Sequence, residues 1–244
     1  MDDPGHVWSG MQTFLEGVPA MLPQRPKAIL IVSGHWETEG FALTGAARPP
    51  LIYDYYGFPP HTYALRYDAP GNPGLAAKAA ALLQAAGLSA RVDEDRGLDH
   101  GVFVPLKVVF PDASIPIVEL SVDKGLDPAL HLAAGRALAS LRDEGVLILA
   151  TGMSFHNMRG YGDPRFTAPS EQFDAWLAEI LTADAATRNA GLERWQDAPS
   201  ARVSHPQEEH LLPLMVATGA AEGAGEKIYG ELVMKTAISA FAFT

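Results

Sequence analysis

The chain has 244 residues, of which 48% are hydrophobic and 19% charged, with a formal charge of −11. That length accommodates one large domain or two small ones, and that composition builds a core, which excludes an intrinsically disordered chain. The acidic balance excludes a basic nucleic-acid footprint and disfavours an anionic membrane surface, while the lack of cysteine excludes disulfides, thiolate ligands and cysteine nucleophiles. A metal must then be held by His, Asp, Glu or water, a donor set that suits iron(II), zinc or manganese. No apolar run reaches transmembrane length. The first six residues, Met-Asp-Asp-Pro-Gly-His, lack the blocks of a signal peptide, so the expected compartment is the cytoplasm.

In chain order, residues 6–21 predict an imperfect amphipathic helix with Trp8, Met11, Phe14 and Leu15 on one face. Residues 28–33, Ala-Ile-Leu-Ile-Val-Ser, form a continuous apolar run, as expected of a strand buried on both faces. Residues 40–45 predict a second strand. The Pro-, Gly- and Tyr-rich stretch 48–73 reads as a functional loop. A helix follows over 73–87, a strand over 88–93 and a polar loop over 94–101; residues 103–109 fit helix or strand equally. Residues 115–122 predict a strand, and Asp127-Pro128 opens a helix reaching about Arg142. Then come a strand at 146–150, a loop at 151–157, helices at 170–184 and 187–196, and a helix at 206–219 with acidic residues in its first turn. Strands at 228–233 and 236–243 close the chain. Alternating strands and helices without a linker or repeat predict one α/β domain over residues 1–244, a mixed central sheet flanked by helices.

Histidine is the commonest metal ligand and the usual general base near neutral pH. In open α/β sheets ligands bind outside the carboxyl ends of the strands, and His35 and His156 both fall there. Either alone reads equally well as a loop histidine bonded to backbone; together they favour a site. His210 follows Glu208 and Glu209, and Pro213 deprives the Glu209 carbonyl of its helical partner. Glu208, and with it Glu209, reads as complementing the helix dipole, His210 as a ligand. His100 follows Asp99, a carboxylate able to orient an imidazole, although Asp99 as a simple helix cap is the stronger reading of that pair alone. Tyr53 and Tyr55 offer flat faces and hydroxyls suited to a planar aromatic substrate; a loop packed on the core explains them equally well. His61, His131 and His205 read as structural or surface residues. Ser154 lies outside a Gly-x-Ser-x-Gly elbow, which weighs against a serine hydrolase.

Six ordered blocks carry a resemblance: Ser-Gly-His-Trp-Glu-Thr at 33–38, Ile-Tyr-Asp-Tyr-Tyr-Gly-Phe-Pro at 52–59, Ala-Pro-Gly at 69–71, Gly-Leu-Asp-His-Gly-Val-Phe-Val-Pro-Leu at 97–106, Ser-Phe-His-Asn-Met-Arg at 154–159 and His-Pro-Gln-Glu-Glu-His-Leu-Leu-Pro-Leu at 205–214. From about residue 20 onward the chain resembles the DODA-type (4,5-DOPA extradiol dioxygenase-like) members of the class III extradiol ring-cleavage dioxygenases, a subunit-B-like superfamily. The resemblance implies one Fe(II) or Zn(II) per subunit, a catechol-type substrate and O₂, with extradiol opening of the ring. It implies His35 and His210 as metal ligands, with Glu209 the alternative to His210, His156 at the metal as ligand or acid–base, and His100 as a pocket acid–base. Tyr53, Tyr55 and Asp99 are the expected substrate contacts.

Members of that family begin with a strand and a His-Gly ligand motif, and no such segment stands in this sequence. The expectation is a chain one strand and one ligand short, with weak metal binding; His6 does not match the motif. A zinc-dependent hydrolase and a non-catalytic scaffold of the same fold are the competing functions. Neither a nucleic-acid partner nor a membrane is expected, and a homo-oligomer stays open.

Overall fold

A computed structural model describes residues 5–243; residues 1–4, part of the segment scanned for a signal peptide, and residue 244 lie outside the described residues. In chain order the helices are α1 (Ser9–Met21), α2 (Pro73–Ala85), α3 (His100–Val109), α4 (Pro128–Leu138), α5 (Thr167–Leu181), α6 (Ala185–Glu193), α7 (Ala201–Ser204) and α8 (Leu212–Gly219). The strands are β1 (Ala28–Thr38), β2 (Phe41–Thr44), β3 (Ala90–Asp93), β4 (Ile117–Asp123), β5 (Val146–Thr151), β6 (Gly225–Val233) and β7 (Thr236–Phe243).

Five strands form one mixed sheet in the order β3-β2-β4-β1-β5. β1 pairs in parallel with both β4 and β5, β2 with β3, and β2 meets β4 antiparallel at Leu43 and Leu120. The apolar run of β1 is split between two faces because side chains alternate along a strand. Leu30 and Val32 join Val118, Leu120 and Leu43 in a core with α2, α4, α5 and α8. Ile29 and Ile31 join Ile117 in a second core with Val102, Phe103 and Leu106 of α3 and Leu15 and Val18 of α1. Burial on both faces is why the run carries no polar alternation.

Four expectations change. The ambiguous segment 103–109 is helical, part of α3. β1 runs past its apolar run to Thr38, so His35 is a strand residue, lying where the pairing with β4 shifts register between Val32 and Glu37. The last helix does not begin at 206: α8 starts at Leu212, with Pro213 in its first turn. Proline is favoured at that position, where its missing N–H costs nothing, so residues 206–211 form the turn that feeds the helix and Glu208, Glu209 and His210 precede it. Finally, β6 and β7 do not extend the main sheet; they form a separate antiparallel hairpin. Its Val233 and Ile238 pack on Phe155 together with Trp8, Met11 and Tyr161, and the Ser239 N–H donates to Ser154 Oγ at 2.8 Å. The hairpin therefore braces the loop that carries His156.

Candidate metal centre

Four histidines converge beyond the carboxyl end of β5, beside the register shift in β1. His35 reaches the cleft from β1, His156 from the loop after β5, His210 from the turn before α8 and His100 from the first residue of α3. Two glycines let the His210 turn approach the sheet. A β-carbon on Gly34 would lie 2.7 Å from the Glu209 carbonyl oxygen, and one on Gly152 would lie 2.1 Å from that of His210. The Met153 N–H donates to the His210 carbonyl at 3.1 Å. The strand ends and the His210 turn thus meet backbone to backbone, with no flexible side chain between them.

His35 Nε2 faces His210 Nε2 at 3.3 Å. On its other side the His35 ring lies 3.9 Å from that of His100, centroid to centroid. The His156 ring stacks on His210 at 3.4 Å and 16°. Glu209 organises the second pair: its Oε1 lies 3.0 Å from His210 Nδ1 and 3.1 Å from His156 Nδ1. Burial alone would raise this carboxyl, but hydrogen bonds from His156 and His210 outweigh it and hold Glu209 well below the usual range. An ionised carboxylate only accepts, so each Nδ1 donates to it. Asp54 does the same for His100. Its Oδ1 lies 2.8 Å from His100 Nδ1 and accepts the His100 main-chain N–H at 3.0 Å. Burial opposes ionisation there, and the His100 bonds reverse it, lowering Asp54. Packing around the His35 ring, followed by the charges of His100 and His210, pushes His35 down to about 4. Burial also lowers His210. Neutral imidazoles with free Nε2 atoms are the form that binds metal.

The donors fit such an ion. Two nitrogens bound to tetrahedral zinc at about 2.0–2.1 Å stand roughly 3.3 Å apart, and His35 and His210 face each other at 3.3 Å. Glu209 Oε2 is buried beside them without a hydrogen bond. Donor atoms lie within 4.8 Å of one another inside each of two groups, one of His35, Asp54 and His100 and one of His156, Glu209 and His210. A groove of about 580 Å³ between α5 and the hairpin is lined by residues such as Asp174, Lys227 and Glu231 and includes none of these histidines.

The expected substrate contacts fare differently. Asp99 is fully buried, so it cannot touch a substrate in the cleft; the carboxylate that faces His100 is Asp54. The Tyr55 ring packs edge-on to His100 at 5.6 Å, and Tyr53 packs against Phe103. Their hydroxyls donate to loop carbonyls, Tyr53 to Leu65 and Tyr55 to Thr62, both at 2.6 Å, which leaves ring faces and edges for contact. His131 is buried, with Nδ1 2.7 Å from the Asp127 carbonyl and Nε2 accepting the Asp123 N–H at 3.0 Å. His205 is buried with Nε2 3.0 Å from the Ser154 carbonyl, and His61 is exposed on a 3₁₀ turn; none of the three enters the cluster. Asp54 escaped the sequence reading because it stands 46 residues from its partner. The one signal was a carboxylate inside an aromatic run.

Comparison with known proteins gives the same direction. The family described as the catalytic LigB subunit of aromatic ring-opening dioxygenase matches residues 4–243. A dioxygenase of Hapsidospora irregularis is 43% identical over 239 residues, covering 91% of this chain and 74% of that one. The 4,5-DOPA dioxygenase extradiol of Beta vulgaris is 41% identical over 213 residues, covering 86% and 78%, and that of Escherichia coli is 38% identical over 203 residues, covering 82% and 74%. Among solved structures, an uncharacterized protein of Escherichia coli K12 superposes with a TM-score of 0.77 at 31% identity, covering 94% of this chain and 91% of that one.

Proposed function

The chain belongs to the LigB family of metal-using aromatic ring-opening dioxygenases and is an extradiol ring-cleavage enzyme, and from that premise we propose that His35 and His210 hold one Fe(II) or Zn(II) at which a catechol-type substrate is opened with O₂. The observation that carries the ligand assignment is the pair of Nε2 atoms facing each other at 3.3 Å. His156, stacked on His210, stands beside the pair as a third donor or as the acid–base group. Bound there, the metal supplies Lewis-acid charge for the two catechol oxygens and coordination positions for O₂.

The protein's own groups handle protons. Glu209 takes the Nδ1 proton of His156 in a hydrogen bond, which leaves Nε2 as the base able to accept a catechol proton and later return it. Asp54 sets up His100 in the same way on the opposite side of His35. Tyr55, edge-on to His100, offers the flat wall an aromatic ring packs against.

Anaerobic reconstitution with Fe(II), followed by a catechol and O₂, is expected to give a yellow ring-opened product. His35→Ala and His210→Ala are each expected to lose most of the metal that the wild-type chain holds and about ten- to a hundredfold in turnover. Full metal content in both variants overturns the ligand assignment. Ester or amide turnover with zinc and no O₂ uptake overturns the proposed chemistry.

A further inference from the structure

Beneath the histidine cleft lies a second set of ionisable groups that the proposed reaction does not use. Asp99 and Glu119 are both fully buried. Glu119 projects from β4, in register with Ile31 of β1, and its Oε2 accepts the Asp99 main-chain N–H at 3.3 Å. Asp99 stands at the N-cap of α3, yet its carboxylate makes no capping bond. It accepts instead from Ser33 Oγ at 2.9 Å and from Arg96 Nη2 at 3.3 Å. Ser33 Oγ in turn accepts the main-chain N–H of His35 at 3.2 Å. Arg96 lies over the Trp36 ring at 4.9 Å and reaches to 4.0 Å from Glu119 Oε1. One buried carboxylate thereby links the strand that carries His35 to the helix start that carries His100.

Such a cluster is costly. Two carboxyls and a guanidinium leave water, and Arg96 Nε and Glu119 Oε1 are buried without a hydrogen-bond partner. Apolar residues of similar volume are commonly as stabilising or more so. Asp99 also forgoes the capping bond that the first-turn N–H groups of α3 could donate to it. A plain core residue would serve stability better at these positions, and the bonds the cluster does make run to the two histidine-bearing segments.

We propose that Ser33, Arg96, Asp99 and Glu119 form a positioning network that fixes His35 and His100 relative to each other. Burial and the adjoining Asp99 push the Glu119 carboxyl well above the ordinary range, and Arg96 sits closer to Asp99, at 3.3 Å, than to Glu119, at 4.0 Å. The network touches neither substrate nor metal. It works through main-chain atoms, the N–H of His35 and the first turn of α3. The proposal rests on the reading of His35 as a ligand.

The test compares the full chain with Glu119→Gln, Glu119→Leu and Ser33→Ala, measuring Zn(II) affinity by competition with a chromophoric chelator and then kcat and KM with Fe(II). Glu119→Gln keeps a side-chain oxygen able to accept the Asp99 N–H. It should stay within about threefold of wild type in zinc affinity, while Glu119→Leu and Ser33→Ala lose about tenfold or more. In the latter two kcat should fall with KM for the catechol little changed, a split that general loosening of the fold does not produce. Ser33→Ala carries the test should Glu119→Leu fail to fold. Wild-type affinity in both disruptive variants overturns the proposal, as does a Glu119→Gln chain as impaired as Glu119→Leu. A wild-type chain that holds no zinc, or a His35→Ala chain that holds it equally, overturns the ligand reading beneath it, a result distinct from the first two.

Discussion

Glu209 shows how much one side chain decides here. The same oxygen receives two imidazole N–H groups, and without it neither ring has a reason to keep its Nε2 bare. Nearby, His205 has a different task. It is buried, fastened to the Ser154 carbonyl, and burial, the largest influence on it, pushes it down to about 4. An unfolded chain takes up that proton near the ordinary imidazole value of 6.5, so between those two values the unfolded state binds more protons and stability falls as pH drops. The window runs from about pH 6.5 down to about pH 4, and His205 alone accounts for roughly 2 kcal/mol lost between about pH 7 and pH 5. Urea unfolding at both pH values checks this: His205→Asn should lose less stability on acidification than wild type, by about that amount. Equal slopes in the two proteins would remove His205 from the account.

α8 illustrates the scale of the element. It is eight residues long, too short to stand without tertiary support, and its start follows the His210 turn directly. Its far end is held by Arg188 of α6, fully buried, which donates to the carbonyls of Thr218 at 3.2 Å, Ala221 at 3.1 Å and Gly223. Thr218 lies in the last turn of α8 and the other two carbonyls in the chain just past its end, and a guanidinium there also suits the dipole. Arg188→Met keeps much of the volume and strips all three bonds, so thermal unfolding should report a loss of about 2–4 kcal/mol. Elements of this kind also mark how far the sequence could be read. β1 stood out because a strand covered on both faces shows an unbroken apolar run, and His35 and His156 followed from their place after predicted strands. The start of α8 was misread because Glu208, Glu209 and Pro213 fit two registers of one pattern, and only the close seat of the turn on Gly34 and Gly152 selects the later one. The hairpin's role was invisible: β6 and β7 read as strands, but nothing local says that they leave the sheet to brace Phe155. Asp54 and Glu119 were missed for a related reason, since a carboxylate's partner lies tens of residues away and leaves no period in the sequence.

For the molecule as a whole, the four histidines stand on four separate segments, joined by one sheet and its flanking helices. A ligand that binds the folded state alone raises stability by mass action, about 2.7 kcal/mol at a hundredfold excess over Kd. Zinc should therefore raise Tm by roughly 5–10 °C in a chain of this size, and EDTA should reverse the rise. Scanning calorimetry of wild type and His35→Ala decides it, since the variant should show no shift. The facing pair itself spans 175 residues of chain, and that separation bears on time as well as on energy. Contacts so distant in sequence close only after most of the intervening chain has condensed. The centre then matures after the folding barrier is crossed, and the ion enters a finished fold instead of guiding its assembly. In stopped-flow experiments zinc should slow unfolding while refolding keeps its metal-free rate.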